Sequence, residues 1–190
     1  FRLAEHTMPH RQPLLTLIDS YSQLHPDEAA TTERIRNFVT EQRLCFQRQL
    51  AMGHITGSAW LIDQSQQRVL LTHHRKLNIW VQLGGHADGE SDVARVAMNE
   101  AEEESGLLNL HLVSPNIFDI DIHAIPARGD EVEHWHYDCR FLVQATGAED
   151  YVVSDESHDL AWIELANVAS LSSEPSLLRM VAKTRIFFHD

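Results

Sequence analysis

The chain is poor in cysteine, in basic residues and in long apolar runs, and each shortage removes a class of protein. Its two cysteines, Cys45 and Cys139, lie far apart and lack metal-ligand spacing. They read as buried or free thiols of a reducing cytoplasm. Only 15 Lys and Arg stand against 28 Asp and Glu, a formal charge of −13. A general nucleic-acid binder would want a basic stripe. A small anionic molecule stays open, because a bound cation reverses the local field. No stretch approaches the ~20 apolar residues needed to span a bilayer, and no secretory signal is visible. Internal repeats and low-complexity tracts are also missing. What remains suits one ordinary domain with an extension, with ample apolar residues for a packed core.

Residues 1–50 read as helical. Pro13 starts a first helix that runs to about Leu24, and Pro26-Asp27-Glu28 opens a second. Ile35, Phe38, Val39, Leu44 and Leu50 are spaced roughly as its apolar stripe. This extension reads as a cap on the domain or as a homodimer contact. From residue 51 the period changes, and 51–190 reads as the main domain. Strands are expected at Ala59-Trp60-Leu61-Ile62, Arg68 to Thr72, Trp80 to Leu83, Phe118 to Ile125, Glu133 to Val143 and Leu160 to Leu165. An amphipathic helix is expected from Pro175 to Phe187.

The most informative stretch is GGHADGESDVARVAMNEAEEESGL, Gly84 to Leu107. With Ser91 or Asp92 as N-cap and Gly106 as stop, its second half is a helix. Offsets of 0, 3 and 4 then put Glu100, Glu103 and Glu104 on one face, while Val93, Ala97 and Ala101 form the inner row. An acidic run is usually a solvated face. Such faces are normally mixed with Lys or Arg, and this helix has only Arg95. Like charges at these offsets each cost a few tenths of a kcal/mol. Three hard oxygen ligands beside a paired glycine are what a Mg²⁺ site for a phosphorylated substrate needs. Gly84 and Gly85 would permit positive φ and let a backbone carbonyl approach a ligand.

This stretch resembles the signature box of Nudix hydrolases: glycine, five residues, Glu, seven residues, then Arg-Glu-aliphatic-x-Glu-Glu-x-Gly-aliphatic. Gly85 falls on the opening glycine, Glu100 on the first Glu of the run and Ala101 on the aliphatic. Glu103 and Glu104 match the Glu pair, Gly106 the glycine and Leu107 the last aliphatic. The resemblance implies an α/β (α+β) fold, a mixed β-sheet sandwiched between helices with an N-terminal helical extension. It also implies metal-dependent hydrolysis of a nucleoside diphosphate linked to another group. Mg²⁺ or Mn²⁺ would be held by Glu100, Glu103, Glu104 and the Gly85 carbonyl.

Two positions depart from the pattern. Ser91 stands where the isolated Glu belongs, with Glu90 one place early, and Asn99 replaces the Arg. In the family those residues pair and brace the loop. Here Arg95, on the same face as Asn99, could reach Glu90 instead. The departures leave room for an alternative, a Nudix-like module that binds a nucleotide or a protein without turnover.

The strands after the motif helix alternate. Asp119, Asp121 and His123 share one face; His134, His136, Asp138 and Arg140 share another. A wet antiparallel sheet alternates in the same way. The resemblance implies that these strands line the substrate cleft, with His134, His136 and Arg140 as contacts, Arg140 through its forked donors. His134 and His136, with Asp121 or His123 across the hairpin, could instead bind zinc. Glu156 is a candidate extra ligand or base, alongside Glu103. An isomerase of isoprenyl diphosphate would need a pocket cysteine, and Cys139 falls on the apolar face of its strand.

Overall fold

A computed structural model of the chain describes residues 9–75, 77–153, 155 and 157–189. Helix α1 (Gln12–Leu24) carries Pro13 in its first turn, where the missing N–H costs nothing. A single turn at Pro26–Glu28 leads into α2 (Ala29–Glu41). Eight strands follow: β1 (Gly53–Ile62), β2 (Arg68–His74), β3 (Ile79–Val81), β4 (Leu83–His86), β5 (Leu110–Leu112), β6 (Asp119–Ile125), β7 (His134–Ala145) and β8 (Ser157–Glu164). Helix α3 (Val93–Ser105) separates β4 from β5, and α4 (Val168–Leu171) and α5 (Pro175–His189) close the chain. Among the described residues no helix is long and apolar enough to cross a membrane.

The strands make one mixed sheet in the order β3-β2-β1-β7-β5. β4 also pairs with β1, β6 with β7 and β8 with β2. At the centre β1 and β7 run parallel, in register from Gly53 opposite Trp135 to Ile62 opposite Gln144. Both faces of this pair are covered, and every residue of β1 is buried.

One face carries Ile55, Ala59 and Leu61 of β1 with Tyr137, Cys139, Phe141 and Val143 of β7. They share an apolar cluster with Leu14, Ile18, Ile35 and Val39 from α1 and α2, and with Val93, Val96, Ala97 and Ala101 from α3. The ring of Phe38 stacks on Tyr137 at 3.8 Å. On the opposite face Trp60, Ile62 and Leu142 meet Leu177, Met180 and Val181 of α5. Trp60 Nε1 donates to Thr184 Oγ1 at 2.8 Å, so even the polar edge of that ring is satisfied. The result is the expected mixed sheet between helical layers, and the first two helices are packed into it.

Several elements differ from the sequence expectation. β1 begins at Gly53, well before the apolar run at Ala59. Its first half is small or polar because it is built to be crossed: a Cβ on Gly57 would lie 2.9 Å from Val96 Cβ, so α3 can lie close only over a glycine. α2 stops at Glu41, which leaves Leu44 exposed while Cys45 and Phe46 are buried from the following loop. The three-residue β5 and the four-residue α4 were too short to register as periods.

Candidate active site

Helix α3 begins where Asp92 accepts the Arg95 backbone N–H at 3.2 Å. It ends at Gly106, whose φ of 69° is the left-handed cap that glycine favours. Its buried side, Val93, Val96, Ala97, Ala101 and Ser105, packs on the sheet, and Glu100 and Glu104 lie on the flank of that side that meets the glycine strand. There Gly84 N–H donates to Glu104 Oε1 at 3.1 Å. A Cβ on Gly85 would run into the Glu100 carboxylate. Neither glycine has positive φ, so the paired glycine serves close approach, and the expected left-handed turn is absent. Glu103, one residue before Glu104, is exposed to solvent.

Among the described residues only two groups of three ligating side chains hold all their donor atoms within 4.8 Å, and the three glutamates are neither of them. Like charges spread their carboxylates on a helix face. The donors nonetheless suit a hard cation: two carboxylates turn onto backbone where no side chain fits, and a third reaches into water. Arg48 stands at this mouth from the loop after α2. Its Nε donates to Asp88 Oδ1 at 2.6 Å, and Glu100 is among the charges that hold it protonated. Nothing in the sequence around Arg48 marks it, since only the fold carries that loop to β4.

The bracing pair is loose. Arg95 Nη1 lies 4.0 Å from Glu90 Oε2, with side chains 66% and 38% exposed. Glu90 spends its other oxygen on the Asp92 N–H at 2.9 Å.

The polar strand faces are one face. In the β6–β7 register Asp119 lies opposite Arg140, Asp121 opposite Asp138 and His123 opposite His136. Next door β1 sets His54 beside His136, Thr56 beside Asp138 and Ser58 beside Arg140. Asp138 accepts from Thr56 Oγ1 at 2.8 Å, from Ser58 Oγ at 2.8 Å and from Arg140 Nε at 2.8 Å. Arg140 also reaches Asp119 at 3.2 Å and Asp121 at 3.5 Å. Its guanidinium is buried, so the donors expected on a phosphate are spent on three aspartates. Asp119 further takes Arg179 at 2.8 Å and Lys183 at 2.7 Å, both from α5. Burial pushes Asp121 up, but His123, Arg140 and Arg179 outweigh it and hold the carboxyl well below the usual range.

The other end of the face is histidine. Ring centroids of His86, His134 and His136 each lie 5.0 Å from His54, and His134 Nε2 is 3.3 Å from His136 Nε2. Burial, and then the neighbouring imidazoles, push His54 down to about 4 and His136 down to about 3. His86 is also lowered by burial. Asp121 is not part of this group; it pairs with His123 at 3.0 Å. Cys139 points to the opposite, apolar face, where burial raises its thiol well above the ordinary value. Glu156 lies outside the described residues.

A family model described as "NUDIX domain" matches residues 53–183. No curated protein matches the chain. Among solved structures, a NUDIX-family hydrolase from Clostridium perfringens is 22% identical, with a TM-score of 0.53 over 70% of this chain and 97% of that one. A MutT NUDIX hydrolase from Burkholderia pseudomallei is 21% identical, with a TM-score of 0.52 over 70% and 98%. A C. elegans Ap4A hydrolase is 16% identical, with a TM-score of 0.51 over 70% and 96%.

Proposed function

Because this chain belongs to the NUDIX domain family, we propose that it is a metal-dependent hydrolase that cleaves the diphosphate linkage of a nucleoside diphosphate joined to another group. The family-level reading is a hydrolase of phosphorus-containing anhydrides; the nucleotide and the metal are the finer proposal. The observation that carries it is the fit of Gly84 and Gly85 against Glu104 and Glu100. A merely solvated acidic face would have no need of a glycine pressed against the Glu100 carboxylate and a strand N–H given to Glu104.

Glu100, Glu103, Glu104 and the Gly85 carbonyl would hold Mg²⁺ or Mn²⁺. Such a dication neutralises charge developing on the bridging phosphates and lowers the pKa of a water. The protein supplies the rest. Gly84 N–H holds Glu104 in place, and the bare Gly85 leaves Glu100 its position. Exposed Glu103 is the carboxylate free to accept the proton of an attacking water, with Glu156 as the second candidate. Arg48 is paired with Asp88 through Nε and Nη2 but, unlike Arg140, is half exposed, and it replaces Arg140 as the cation for a substrate phosphate. His134 and His136, on the polar face of the sheet, would be polar contacts for a more distant part of the substrate. Both cysteines are buried thiols, in keeping with work in a reducing cytoplasm.

The alternative, a nucleotide- or protein-binding module, draws on Asn99 in place of the motif Arg and on the loose Glu90–Arg95 pair. Phosphate release from a panel of nucleoside diphosphate derivatives with Mg²⁺ or Mn²⁺ separates the two. The hydrolase predicts metal-dependent turnover that falls on the order of 10²-fold or more in Glu103→Gln. Nucleotide binding without turnover in the wild type would replace it with the binding module.

A further inference from the structure

Among the described residues, the buried end of the histidine cluster is the least satisfied place. His54 is 3% exposed, and neither of its ring nitrogens has a hydrogen-bond partner. The Leu50 carbonyl acts on the ring but lies off hydrogen-bond geometry. Buried polar atoms are nearly always paired, so an imidazole orphaned at both nitrogens asks what completes it.

The surroundings answer in chemical terms. One nitrogen each from His54, His86 and His136 lie within 4.8 Å of one another. Zinc–nitrogen bonds of about 2.0–2.1 Å place two ligands of a tetrahedron about 3.3 Å apart, so small side-chain rotations close the set. All three rings stand on hydrogen-bonded strands: His54 beside His136 in the β1–β7 ladder, and His86 opposite Thr56 in the β1–β4 ladder. The spacing is therefore set by backbone.

We propose that His54, His86 and His136 form a zinc site with one open coordination position, separate from the carboxylate site on α3. Imidazole donors select a transition-metal dication, whereas the oxygens of Glu100, Glu103 and Glu104 suit Mg²⁺ or Mn²⁺. His86 directly follows Gly85, and because neighbouring strand residues point to opposite faces the zinc lies across the sheet from the carboxylates of α3. A zinc there explains why this end of the polar face, in so acidic a chain, gathers histidines rather than more acids. The other group among the described residues with the same donor spacing, His25, Asp27 and Glu28, does not compete: Glu28 is already held by Lys183 at 2.8 Å and by Tyr21 at 2.7 Å.

The test uses the tag-free chain, stripped with chelator and titrated with Zn²⁺ in excess Mg²⁺. One equivalent should bind, and Co²⁺ in its place should give the intense visible bands of a low-symmetry nitrogen site. His54→Gln and His136→Gln should each weaken zinc at least about 100-fold, while Glu100→Gln leaves it unchanged. Because His54 is buried, its variant is checked for folding by circular dichroism. If it fails to fold, His136→Gln alone decides. Failure of the wild type to retain one equivalent, or equal affinity in His136→Gln, overturns the site. Loss of zinc in Glu100→Gln would move the metal to the carboxylates and overturn it as well. None of these readouts depends on turnover, so the site stands or falls apart from the hydrolase reading.

Discussion

The polar face of β6, β7 and β1 has two ends that share strands, burial and register and differ in saturation. At one end Asp119 meets Arg140, Arg179 and Lys183, and Asp138 meets Thr56, Ser58 and Arg140. At the other, His54 meets no partner and its neighbours are other imidazoles. The difference separates structure from function on a single surface. Ions that satisfy one another have nothing left for a ligand, however suggestive their residue types, and these fasten α5 to the sheet edge. Donors left open inside a folded protein are where a ligand belongs.

The saturated end should break hardest. Asp119→Ala leaves Arg140, Arg179 and Lys183 crowded around a missing anion, and breaking a buried pair in this way costs about 3–5 kcal/mol. Urea denaturation checks it; a loss below about 1 kcal/mol would mean that α5 is held by its apolar contacts alone.

The open end should show itself through pH. His54 and His136 sit at about 4 and about 3 when folded, against about 6.5 in the unfolded chain. The unfolded state therefore binds more protons below about 6.5, and stability falls as pH drops. With chelator present, the loss between pH 7.5 and 5 should be on the order of 2–4 kcal/mol. His136→Gln should flatten that slope. A flat profile in the wild type would mean that the cluster is wetter than its packing implies. Carboxylates do not confuse the window, because the lowered ones, Asp63, Asp88, Asp121 and Asp138, titrate below it.

The smallest effect sharpens the contrast between buried and exposed pairs. Arg95→Ala removes a 4.0 Å contact between largely exposed groups, so stability should move by less than about 0.5 kcal/mol. If Glu90 and Arg95 brace the glycine strand, turnover should still fall several-fold. Unchanged turnover would remove the brace from the mechanism.

Local features of this molecule were legible in the sequence, and long-range ones were not. Asp92 and Gly106 bracket α3 because caps act within one turn. The alternation of β6 and β7 was plain, and so was the row of glutamates on one helix face. Pairing across 82 residues, as between Thr56 and Asp138, leaves no trace in either segment. That is why His54 and His86 were not joined to His136, and why Arg140 read as a phosphate ligand. Its three aspartates come from two strands whose register the residues alone do not state. Arg48 was hidden for the same reason, in a loop that only the packing of α1 and α2 brings to β4.

The parallel ladder of β1 and β7 also has a consequence in time. β6 and β7 form a nearby hairpin, and closing it costs little chain entropy. Joining β1 to β7 closes a far longer loop with everything between them in place, and non-local pairing of this kind is the slow part of folding. His54 meets His136, and Thr56 and Ser58 meet Asp138, only in that step. A nascent chain that has not yet released β7 from the ribosome can have α1, α2 and α3 fully made and still have neither the histidine cluster nor the aspartate network.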